Sequence, residues 1–421
     1  MDYKKSIYNN IRRVGIKRFE IYNSFSKARI IVDDEDFLDN LLSSKKDSEN
    51  NEILTSLIEN GFIVNQATDE INQLKYIYNK RFFSSNELGL ILLPTMKCNF
   101  SCPYCFEKEQ YKGEENSDYF DIVEKFVRKY ADNYNVINFS FFGGEPLLSK
   151  KAILTFIDNM KGLSTSLHFK YVSTLVTNGS LIDEDVLSSL SSFNCKLLQI
   201  TLDGPKSQHD STRCFQNGNP SFDLLIDKIS FIADYIMKTG STITLLVRFN
   251  LNNTSSEQVS EVLSLIDITK RGVISLMFRT VFSTNHYRQT NTTKNEEIEQ
   301  YNALGSSLGY RIYKNQRPFS SCEACSDWNF MHILPDLSLW KCVVAMNEET
   351  SCIGRINEDG TLLLNSSKIL DWYKAADFFN DEKCSGCSMA PDCMGGCIAY
   401  KINTGKRKCG AAFSLASAYK Y

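Results

Sequence analysis

Three cysteines share one short stretch of this chain, Cys98-Asn-Phe-Ser-Cys102-Pro-Tyr-Cys105, directly after an apolar run over 88–93. Their Cys-x3-Cys-x2-Cys spacing lets three thiolates hold three corners of a [4Fe–4S] cube and leaves the fourth iron open. An open iron can bind a substrate, whereas a fully ligated cluster can only pass electrons. The alternative is a zinc knuckle, but zinc sites usually pair two Cys-x2-Cys knuckles and no second knuckle follows nearby. The spacing therefore favours an iron–sulfur centre.

Further motifs carry groups that suit a small charged ligand. Gly143-Gly144-Glu145 combines glycines, which allow close backbone approach, with a carboxylate that can pair with an ammonium group. Thr201 offers a hydroxyl, and Arg213 offers a guanidinium fork suited to a carboxylate. Asp203 is either a buried acid near the substrate or the cap of the following turn. Asn178 either faces the site or serves only the Asn-Gly turn.

A second group of cysteines lies in the last hundred residues. Its members are Cys322, Cys325, Cys342, Cys384, Cys387, Cys393, Cys397 and Cys409. The segment from Ile333 to Cys342 is typical of a hairpin that carries a ligand. With fourteen cysteines and only four histidines in the chain, we expect metal ligands rather than disulfides. A pair of four-cysteine zinc sites is the alternative to iron–sulfur clusters for this group.

Composition describes an ordinary globular protein. The chain has 421 residues, 43% of them hydrophobic, and a net charge of −3, which suits two or three domains. The near-neutral charge gives no reason to expect nucleic acid or a membrane surface as a partner. No apolar stretch reaches the length of a membrane span, and no signal-peptide core follows Met1-Asp-Tyr-Lys-Lys. We therefore expect a cytoplasmic protein.

Strand-like and helix-like segments alternate through the middle of the chain. The predicted strands are Leu88–Cys98, Val136–Gly143, His168–Asn178, Lys196–Asp203, Thr242–Asn250 and Val273–Val281. The predicted helices are Tyr119–Tyr134, Lys150–Leu163, Asp183–Phe193, Phe222–Lys238 and Ser256–Ile268. This alternation predicts parallel β/α units, which place their chemistry at the carboxyl ends of the strands. The cysteine, Gly-Gly-Glu, Asn-Gly and Asp-Gly motifs follow the first four strands, so we expect them at one mouth of a barrel.

Residues 1–85 form a separate small α/β module in this interpretation. It has strand-like stretches within Phe19–Val32 and predicted helices at Asp36–Leu42, Asn51–Asn60 and Asp69–Tyr78. The module either binds a peptide or only caps the open edge of the barrel. We expect the barrel over residues 86–285, a linker with a bridging helix over 286–320, and a cysteine-rich domain over 321–421.

The three-cysteine motif with its Gly-Gly-Glu partner resembles the radical S-adenosylmethionine (SAM) superfamily. The resemblance implies an α/β fold with a partial (β/α)6 barrel, in which Cys98, Cys102 and Cys105 bind the cluster. SAM would coordinate the fourth iron and be cleaved to a 5′-deoxyadenosyl radical, which abstracts hydrogen from the substrate. The implied SAM contacts are Tyr104, Gly143, Gly144, Glu145, Asn178, Thr201 and Arg213, with Glu145 on the ammonium group, Tyr104 against the adenine and Asp203 as a further catalytic candidate.

The C-terminal cysteines resemble the SPASM domain, which adds two auxiliary [4Fe–4S] clusters. By this resemblance Cys384, Cys387, Cys393 and Cys409 hold the distal cluster, and Cys322, Cys342 and Cys397 hold the proximal one. Cys325 departs from the family, which often has a small residue there. If Cys325 is a ligand, both auxiliary clusters are complete; if it is not, one iron could bind a substrate thiolate. We expect ligation, and three [4Fe–4S] clusters altogether.

Enzymes of this kind mostly modify peptides and proteins, and residues 1–85 resemble the winged-helix elements that recognise leader peptides. The resemblance implies a maturase that acts on a ribosomally made precursor peptide and forms a thioether or carbon–carbon cross-link, of which the thioether is the more specific prediction. A flavodoxin or ferredoxin would supply electrons. One alternative is an anaerobic sulfatase-maturating enzyme that makes formylglycine; another is an iron–sulfur electron carrier without catalysis.

Overall fold

The computed structural model describes residues 2–43, 48–83, 86–107, 111, 113–280, 295–313, 327, 329–345 and 348–406. The chain divides into two compact units. One contains Met1–Ser84, Asn315–Trp328 and Leu370–Tyr421, and the other contains Ser85–Lys314 and Asn329–Ile369. None of the helices within the described residues is both long enough and apolar enough to cross a membrane. The domain boundaries at 85, 285 and 320 stay predictions.

The first unit begins with two small antiparallel sheets. Strand β1 (Tyr3–Lys5) pairs with β5 (Ile63–Asn65), while β2 (Asn9–Gly15), β3 (Arg18–Asn23) and β4 (Arg29–Val32) form a second sheet in that order. Helices α1 (Phe37–Ser43), α2 (Ser48–Glu59) and α3 (Glu70–Phe82) complete the N-terminal part. Its core is built from buried apolar side chains of both sheets and helices: Ile21, Leu38, Leu41, Leu57, Phe62 and Ile63.

The second unit is built on a parallel sheet whose six main strands lie in sequence order. These are β6 (Glu87–Leu92), β7 (Val136–Phe141), β8 (Lys170–Val176), β9 (Cys195–Leu202), β10 (Thr244–Leu251) and β11 (Ile274–Thr280). The connecting helices are α4 (Tyr119–Tyr130), α5 (Lys150–Leu167), α6 (Glu184–Ser192), α7 (Lys206–Thr212), α8 (Phe222–Thr239), α9 (Ser256–Ser264) and α10 (Ile268–Arg271). All six predicted strands and all five predicted helices are present, so the α/β prediction is confirmed.

The end of the first strand differs from the prediction, because polar side-chain contacts replace the hydrogen bonds between strands. The first strand was expected to reach Cys98, but β6 ends at Leu92. Beyond it, Glu115 accepts hydrogen bonds from the Thr95 hydroxyl (2.6 Å) and the Met96 amide (3.1 Å), which fold the chain into a loop. The cysteine motif therefore lies in a loop beyond the carboxyl end of the strand.

The sheet continues beyond β6 with a segment from far along the chain. After α11 (Asn295–Ser307) and β12 (Arg311–Ile312), strand β13 (Phe330–Ile333) pairs in parallel with β6. The predicted hairpin follows: β14 (Ser338–Trp340) is antiparallel to β13 and is joined by β15 (Cys352–Ile356) and β16 (Leu362–Leu364). Gly89 allows this pairing, because a Cβ atom there would lie 2.1 Å from the Phe330 ring.

The remaining C-terminal helices are short. They are α12 (Ser366–Ala376), α13 (Glu382–Ser385), α14 (Ala390–Cys393) and α15 (Ile398–Thr404). Residues from Leu370 onward belong to the first unit. There the Tyr78 hydroxyl of α3 donates to the Ala376 carbonyl (3.0 Å), and the Tyr78 ring lies 5.3 Å from Phe378. The first and last parts of the chain thus share one core.

Candidate active site

The cysteine loop is anchored to the segment that follows α7. Ser101 donates its amide to the Cys214 carbonyl (3.0 Å), and the rings of Phe100 and Phe215 lie 4.8 Å apart, edge to face. Within the loop, the Cys105 amide donates to the Cys102 carbonyl (3.3 Å), which closes a turn between two of the thiols. Cys98, Cys102 and Cys105 are all partly exposed free thiols. These contacts therefore fix the backbone of the loop that carries the three thiols.

Two of these thiols have perturbed acidities. Burial raises the pKa of the Cys98 thiol, and its sulfur accepts from the Phe100 amide (3.4 Å) and the Asn178 side chain (3.8 Å). Burial also raises the pKa of Cys102 to about 11, against the opposing effect of the nearby Arg213 guanidinium. Both thiols are protonated near neutral pH, and a bound metal centre would displace those protons.

Gly143 and Gly144 are in close backbone contact with the residues that begin the cysteine loop. The Gly144 amide donates to the Thr95 carbonyl (3.1 Å), and the next amide, of Glu145, donates to the Lys97 carbonyl (2.8 Å). Gly143 has φ +112°, and a Cβ atom on Gly144 would lie 2.3 Å from the Lys97 carbonyl oxygen. Only glycine fits both positions, so this pair sets the spacing between the two motifs.

Glu145 is fully buried and already well bonded. Its carboxylate accepts from the Leu147 amide (3.0 Å), the Thr177 hydroxyl (2.7 Å) and the Asn178 amide (2.7 Å). These bonds tie the end of β7 to the end of β8. Burial raises the pKa of Glu145, while the three donors and Arg213 lower it. Glu145, the predicted partner of the SAM ammonium group, therefore also links the ends of β7 and β8 through hydrogen bonds.

Asp203 is a buried acid and the centre of a hydrogen-bond network. It accepts from the Tyr104 hydroxyl, from Thr212 Oγ1 (2.9 Å) and from Asn250 Nδ2 (2.9 Å). Arg213 donates in turn to the Tyr104 oxygen (3.1 Å). Of the two interpretations of Asp203, the buried acid matches this geometry, since these side-chain partners come from three segments. The network joins the cysteine loop to β9, α7 and β10.

The other predicted contacts lie around this network. Thr201 lies on β9, in register with Arg248 of β10. Asn178 donates to the Asn99 side-chain oxygen (2.7 Å) as well as lying near Cys98, so it faces the cysteine loop in addition to forming its turn. The structure thus gathers the residues predicted around the cysteine loop at the carboxyl edge of β6 to β9, as the strand positions indicated.

Sequence reasoning gave no role to two buried residues of this region. His209 is fully buried; its Nδ1 accepts from the Asp203 amide (3.2 Å) and its Nε2 lies 3.1 Å from the Ser221 hydroxyl. Burial lowers the pKa of His209 to about 3, so the ring is neutral. Glu107 is buried two residues after the last cysteine of the loop. The only signal for either was proximity in sequence to a named motif.

The C-terminal cysteines fall in different parts of the structure. Cys384 is buried, Cys387 and Cys393 are partly exposed and Cys397 is exposed, and all four belong to the first unit. Cys342, next to β14, is buried in the second unit. Cys322, Cys325 and Cys409 lie outside the described residues. The auxiliary-cluster ligand sets remain predictions.

The parallel α/β sheet carries a three-cysteine loop at its carboxyl edge, and comparisons with known proteins show what this arrangement is similar to. Residues 92–261 match the radical SAM superfamily. The radical SAM cyclopropyl synthase TigE of Paramaledivibacter caminithermalis is 23% identical over 93% of this chain and 85% of its own length. A cysteine-type anaerobic sulfatase-maturating enzyme of Clostridium novyi is 24% identical over 75% of this chain and 88% of its own.

Solved structures give the same fold. Streptococcus suis SuiB bound to precursor peptide SuiA is 16% identical and aligns over 100% of both chains with a TM-score of 0.53. The chain therefore contains a radical SAM domain, as the cysteine and Gly-Gly-Glu motifs predicted. A radical SAM domain implies the use of SAM and a [4Fe–4S] cluster.

The residues present fit that cofactor pair. The thiols of Cys98, Cys102 and Cys105 are suitable cluster ligands, and Gly143 and Gly144 leave no room for side chains against the carbonyls that precede this loop. Among the described residues, no three His, Cys, Asp or Glu side chains converge on a single metal ion. A cube distributes its thiolates over different irons and does not require such convergence. Among the described residues, the side-chain atoms Glu107 Oε1 and Arg213 Nε are buried without a hydrogen-bond partner, while another nitrogen of Arg213 donates to Tyr104.

Proposed function

We propose that this enzyme is a maturase that acts on a ribosomally made precursor peptide. The observation that carries the proposal is the N-terminal sheet, in which β4 is an edge strand with an exposed apolar residue, Ile31 (57% exposed). An extended peptide can pair with such an edge. Support comes from TigE and SuiB, whose alignments include this N-terminal part, since SuiB is a structure with a precursor peptide bound.

In this proposal, Cys98, Cys102 and Cys105 hold the cluster, and Arg213 takes the SAM carboxylate. Arg213 donates to the Tyr104 oxygen and Tyr104 donates to Asp203, so this chain of hydrogen bonds would hold the Arg213 guanidinium in place. When bound, the cluster and SAM supply a 5′-deoxyadenosyl radical that removes hydrogen from the substrate. The Asp203 network, which spans three segments, keeps the cysteine loop at a fixed distance from β9 and β10.

The bond formed belongs to the same proposal. We propose a carbon–carbon or thioether cross-link, and the name of the relative TigE, a cyclopropyl synthase, favours carbon–carbon bond formation. Two auxiliary [4Fe–4S] clusters held by the C-terminal cysteines would accept the electron left on an oxidised substrate radical. A flavodoxin or ferredoxin would reduce the SAM cluster. The reducing cytoplasm suits this many thiolate ligands.

Anaerobic reconstitution tests the chemistry. The full-length protein is loaded with iron and sulfide and incubated with SAM and dithionite, and 5′-deoxyadenosine is followed by mass spectrometry. We expect product from the wild type and none from a variant with all three loop cysteines changed to alanine. Iron and sulfide of about twelve each per chain would support three clusters. A wild type that holds its iron but makes no 5′-deoxyadenosine, even with candidate peptides present, would contradict the proposal.

Peptide binding is tested at the edge strand. Candidate precursor peptides encoded beside the gene are labelled, and their Kd is measured by fluorescence anisotropy. Ile31→Lys places a charge on the exposed edge of β4 and should weaken binding at least tenfold. The matched control is Ile16→Lys, at an exposed isoleucine in the turn between β2 and β3 (89% exposed). Equal affinities of the two variants and the wild type would argue against recognition at this edge.

Formylglycine formation is the second candidate, favoured by the Clostridium novyi sulfatase-maturating relative. Incubation with a peptide that carries a sulfatase-type target cysteine separates the two candidates. Loss of the thiol and gain of an aldehyde would favour this alternative, whereas an unchanged peptide would support the maturase proposal.

A further inference from the structure

Two arginines on neighbouring strands, Arg248 of β10 and Arg279 of β11, lie outside the set of predicted SAM contacts. The two strands are parallel and pair in register, with Asn250 of β10 opposite Arg279. Alternate residues of a strand point to the same face of a sheet, and residues paired between parallel strands share that face as well. Arg248, Asn250 and Arg279 therefore project from one face, and the two arginines form a pair, named here the arginine pair.

The arginine pair lies on the face that carries the polar network of the site. Arg248 donates from Nε to Asn250 Oδ1 (2.9 Å), and Asn250 donates in turn to Asp203 Oδ1 (2.9 Å). The opposite face of the same strands is apolar: Phe249 and Phe278 are buried there with their rings 5.7 Å apart, and Phe278 packs against α11. The pair is thus next to the Asp203 network and away from the helical layer.

Within the described part of the chain, no carboxylate forms an ion pair with either member of the arginine pair. Arg248 makes its hydrogen bond to a neutral amide, and Arg279 donates to the Phe278 carbonyl (3.2 Å). Asp203 already accepts from three other side chains. Burial lowers the pKa of Arg248, and the charge of Arg279 lowers it further. Two cations that repel each other and lack an acidic partner favour the binding of an anion between them.

The cofactor does not supply this anion. SAM has one anionic group, its carboxylate, for which Arg213 is the proposed partner, and its sulfonium centre is positively charged. A second anion must therefore come from the substrate. The planar fork of a guanidinium matches the two oxygens of a carboxylate, and two forks side by side can hold one carboxylate from both edges.

We propose that the arginine pair binds a carboxylate of the peptide substrate, from the side chain of an aspartate or glutamate or from the C-terminus of the peptide. This inference rests on the proposed function. It narrows the substrate to peptides that carry a carboxylate close to the modified residue. Arg248 and Arg279 become specificity residues, which place the substrate on the β10–β11 side of the site.

The test is a double-mutant cycle on the anaerobically reconstituted full-length enzyme with SAM and dithionite. Its probes are a precursor peptide encoded beside the gene, versions in which each aspartate or glutamate is replaced in turn by its amide, and a version with a C-terminal carboxamide. We expect one replacement to lower kcat/KM of the wild type by about 10- to 100-fold, the range of hydrogen bonds between charged groups. The position of that replacement distinguishes a side chain from the C-terminus.

The arginine variants complete the cycle. Arg248→Gln and Arg279→Gln should each lower kcat/KM for the parent peptide at least tenfold, and the decisive amide replacement should then cost less than threefold more. Arg248→Lys and Arg279→Lys keep the charge and should recover part of the loss, which a misfolded protein would not. The matched control is Arg355→Gln, at an exposed arginine of β15, which should leave kcat/KM of every peptide unchanged.

Three results would overturn the inference. Amide replacements that cost the same in the wild type and in both glutamine variants would do so and leave the proposed function standing. A SAM Kd raised at least tenfold in these variants, with no dependence on any carboxylate of the peptide, would assign the arginine pair to the cofactor instead. A wild type that modifies none of the candidate peptides would overturn the proposed function and this inference with it.

Discussion

At the residue scale, the site depends on close backbone contacts that side chains would break. Gly144 allows the Gly-Gly-Glu segment to lie against the carbonyls of Met96 and Lys97, immediately before the first cysteine. The cysteine motif and the Gly-Gly-Glu motif, about 45 residues apart in the chain, can thus lie in contact only because glycine has no Cβ atom. Small changes there are expected to act on the cluster loop as a whole.

Gly144→Ala should destabilise the protein and weaken cluster binding. A new Cβ atom would lie 2.3 Å from the Lys97 carbonyl oxygen, and relieving that overlap should cost about 3 kcal/mol, or roughly 6–12 °C in Tm. Gly162→Ala is the matched control, since α5 leaves open space there; it should gain about 0.5–1 kcal/mol from helix propensity. Thermal unfolding and iron content measure both, and equal Tm values would contradict the argument.

His209 gives the site region a pH-dependent stability. Burial, followed by the charge of Arg213, lowers its pKa to about 3 in the folded protein, against 6.5 for the ordinary side chain. Its contribution to stability is therefore complete above about pH 6.5 and is lost as the pH falls toward 3, by about 1.4 kcal/mol per pH unit. His209→Gln should flatten the decline of Tm between pH 6 and 4. Parallel Tm profiles of variant and wild type would contradict this prediction.

At the scale of elements, strands and helices with a regular apolar periodicity could be predicted from the sequence, whereas strands made mostly of polar residues could not. Strands β6 to β11 and their helices follow clear apolar periodicities, so their order and type could be read from the sequence. Strands β1 (YKK) and β2 (NNIRRVG) were missed because they are mostly polar. The burial of Glu107, like the bonding of Glu145, depends on contacts from distant segments, which sequence spacing cannot reveal.

The segment between Cys387 and Cys393 is held by residues of β2, of β3 and of the turn after β3. Asn10 and Ser388 exchange hydrogen bonds (3.2 and 2.6 Å), Ser24 donates to the Ser388 carbonyl, and the Tyr22 hydroxyl donates to Asp392 (2.9 Å). These contacts belong to one compact unit, and several of the side chains are buried. The shape of this cysteine segment therefore depends on residues almost 400 positions earlier.

Asn10→Ala should loosen that cysteine segment. It leaves the Ser388 hydroxyl and the carbonyls of Tyr8 and Tyr22 with fewer partners, at a cost of about 1–3 kcal/mol. Hydrogen exchange measured by mass spectrometry should speed up over residues 384–397. Asn40→Ala is the control, because Asn40 is exposed and bonds only locally to Asp34. Unchanged exchange in the Asn10 variant would show that the contact does not stabilise the loop.

At the scale of the whole molecule, each compact unit draws on separate stretches of the chain. The sheet of the second unit gains β13 from beyond residue 329, and the first unit combines residues 1–84 with residues from 370 onward. Cutting the chain at its predicted domain boundaries would therefore divide both units. The alternating β/α pattern could not reveal this, because contacts between distant segments leave no local periodicity.

Removal of residues 1–84 should expose the C-terminal cysteine segment to protease. The segment would lose its partners Asn10 on β2, Tyr22 on β3 and Ser24 just after β3. The Ala376 carbonyl, which precedes the segment, would lose the Tyr78 hydroxyl. Residues 86–280 keep their own core and should stay resistant. Limited proteolysis followed by mass spectrometry locates the first cuts. Equal resistance of residues 384–397 in the full-length and shortened proteins would contradict the dependence described here.

The shared core of the first and last segments also has a consequence for synthesis on the ribosome. Between the emergence of residue 84 and that of residue 370, the ribosome adds roughly 300 residues, which at about 5–20 residues per second takes on the order of 15–60 s. During that interval Ser24, Asn10 and Tyr78 await partners that have not yet been translated. The N-terminal segment therefore lacks part of its core during this interval, and its packing can be completed only after residues from 370 onward have been synthesised.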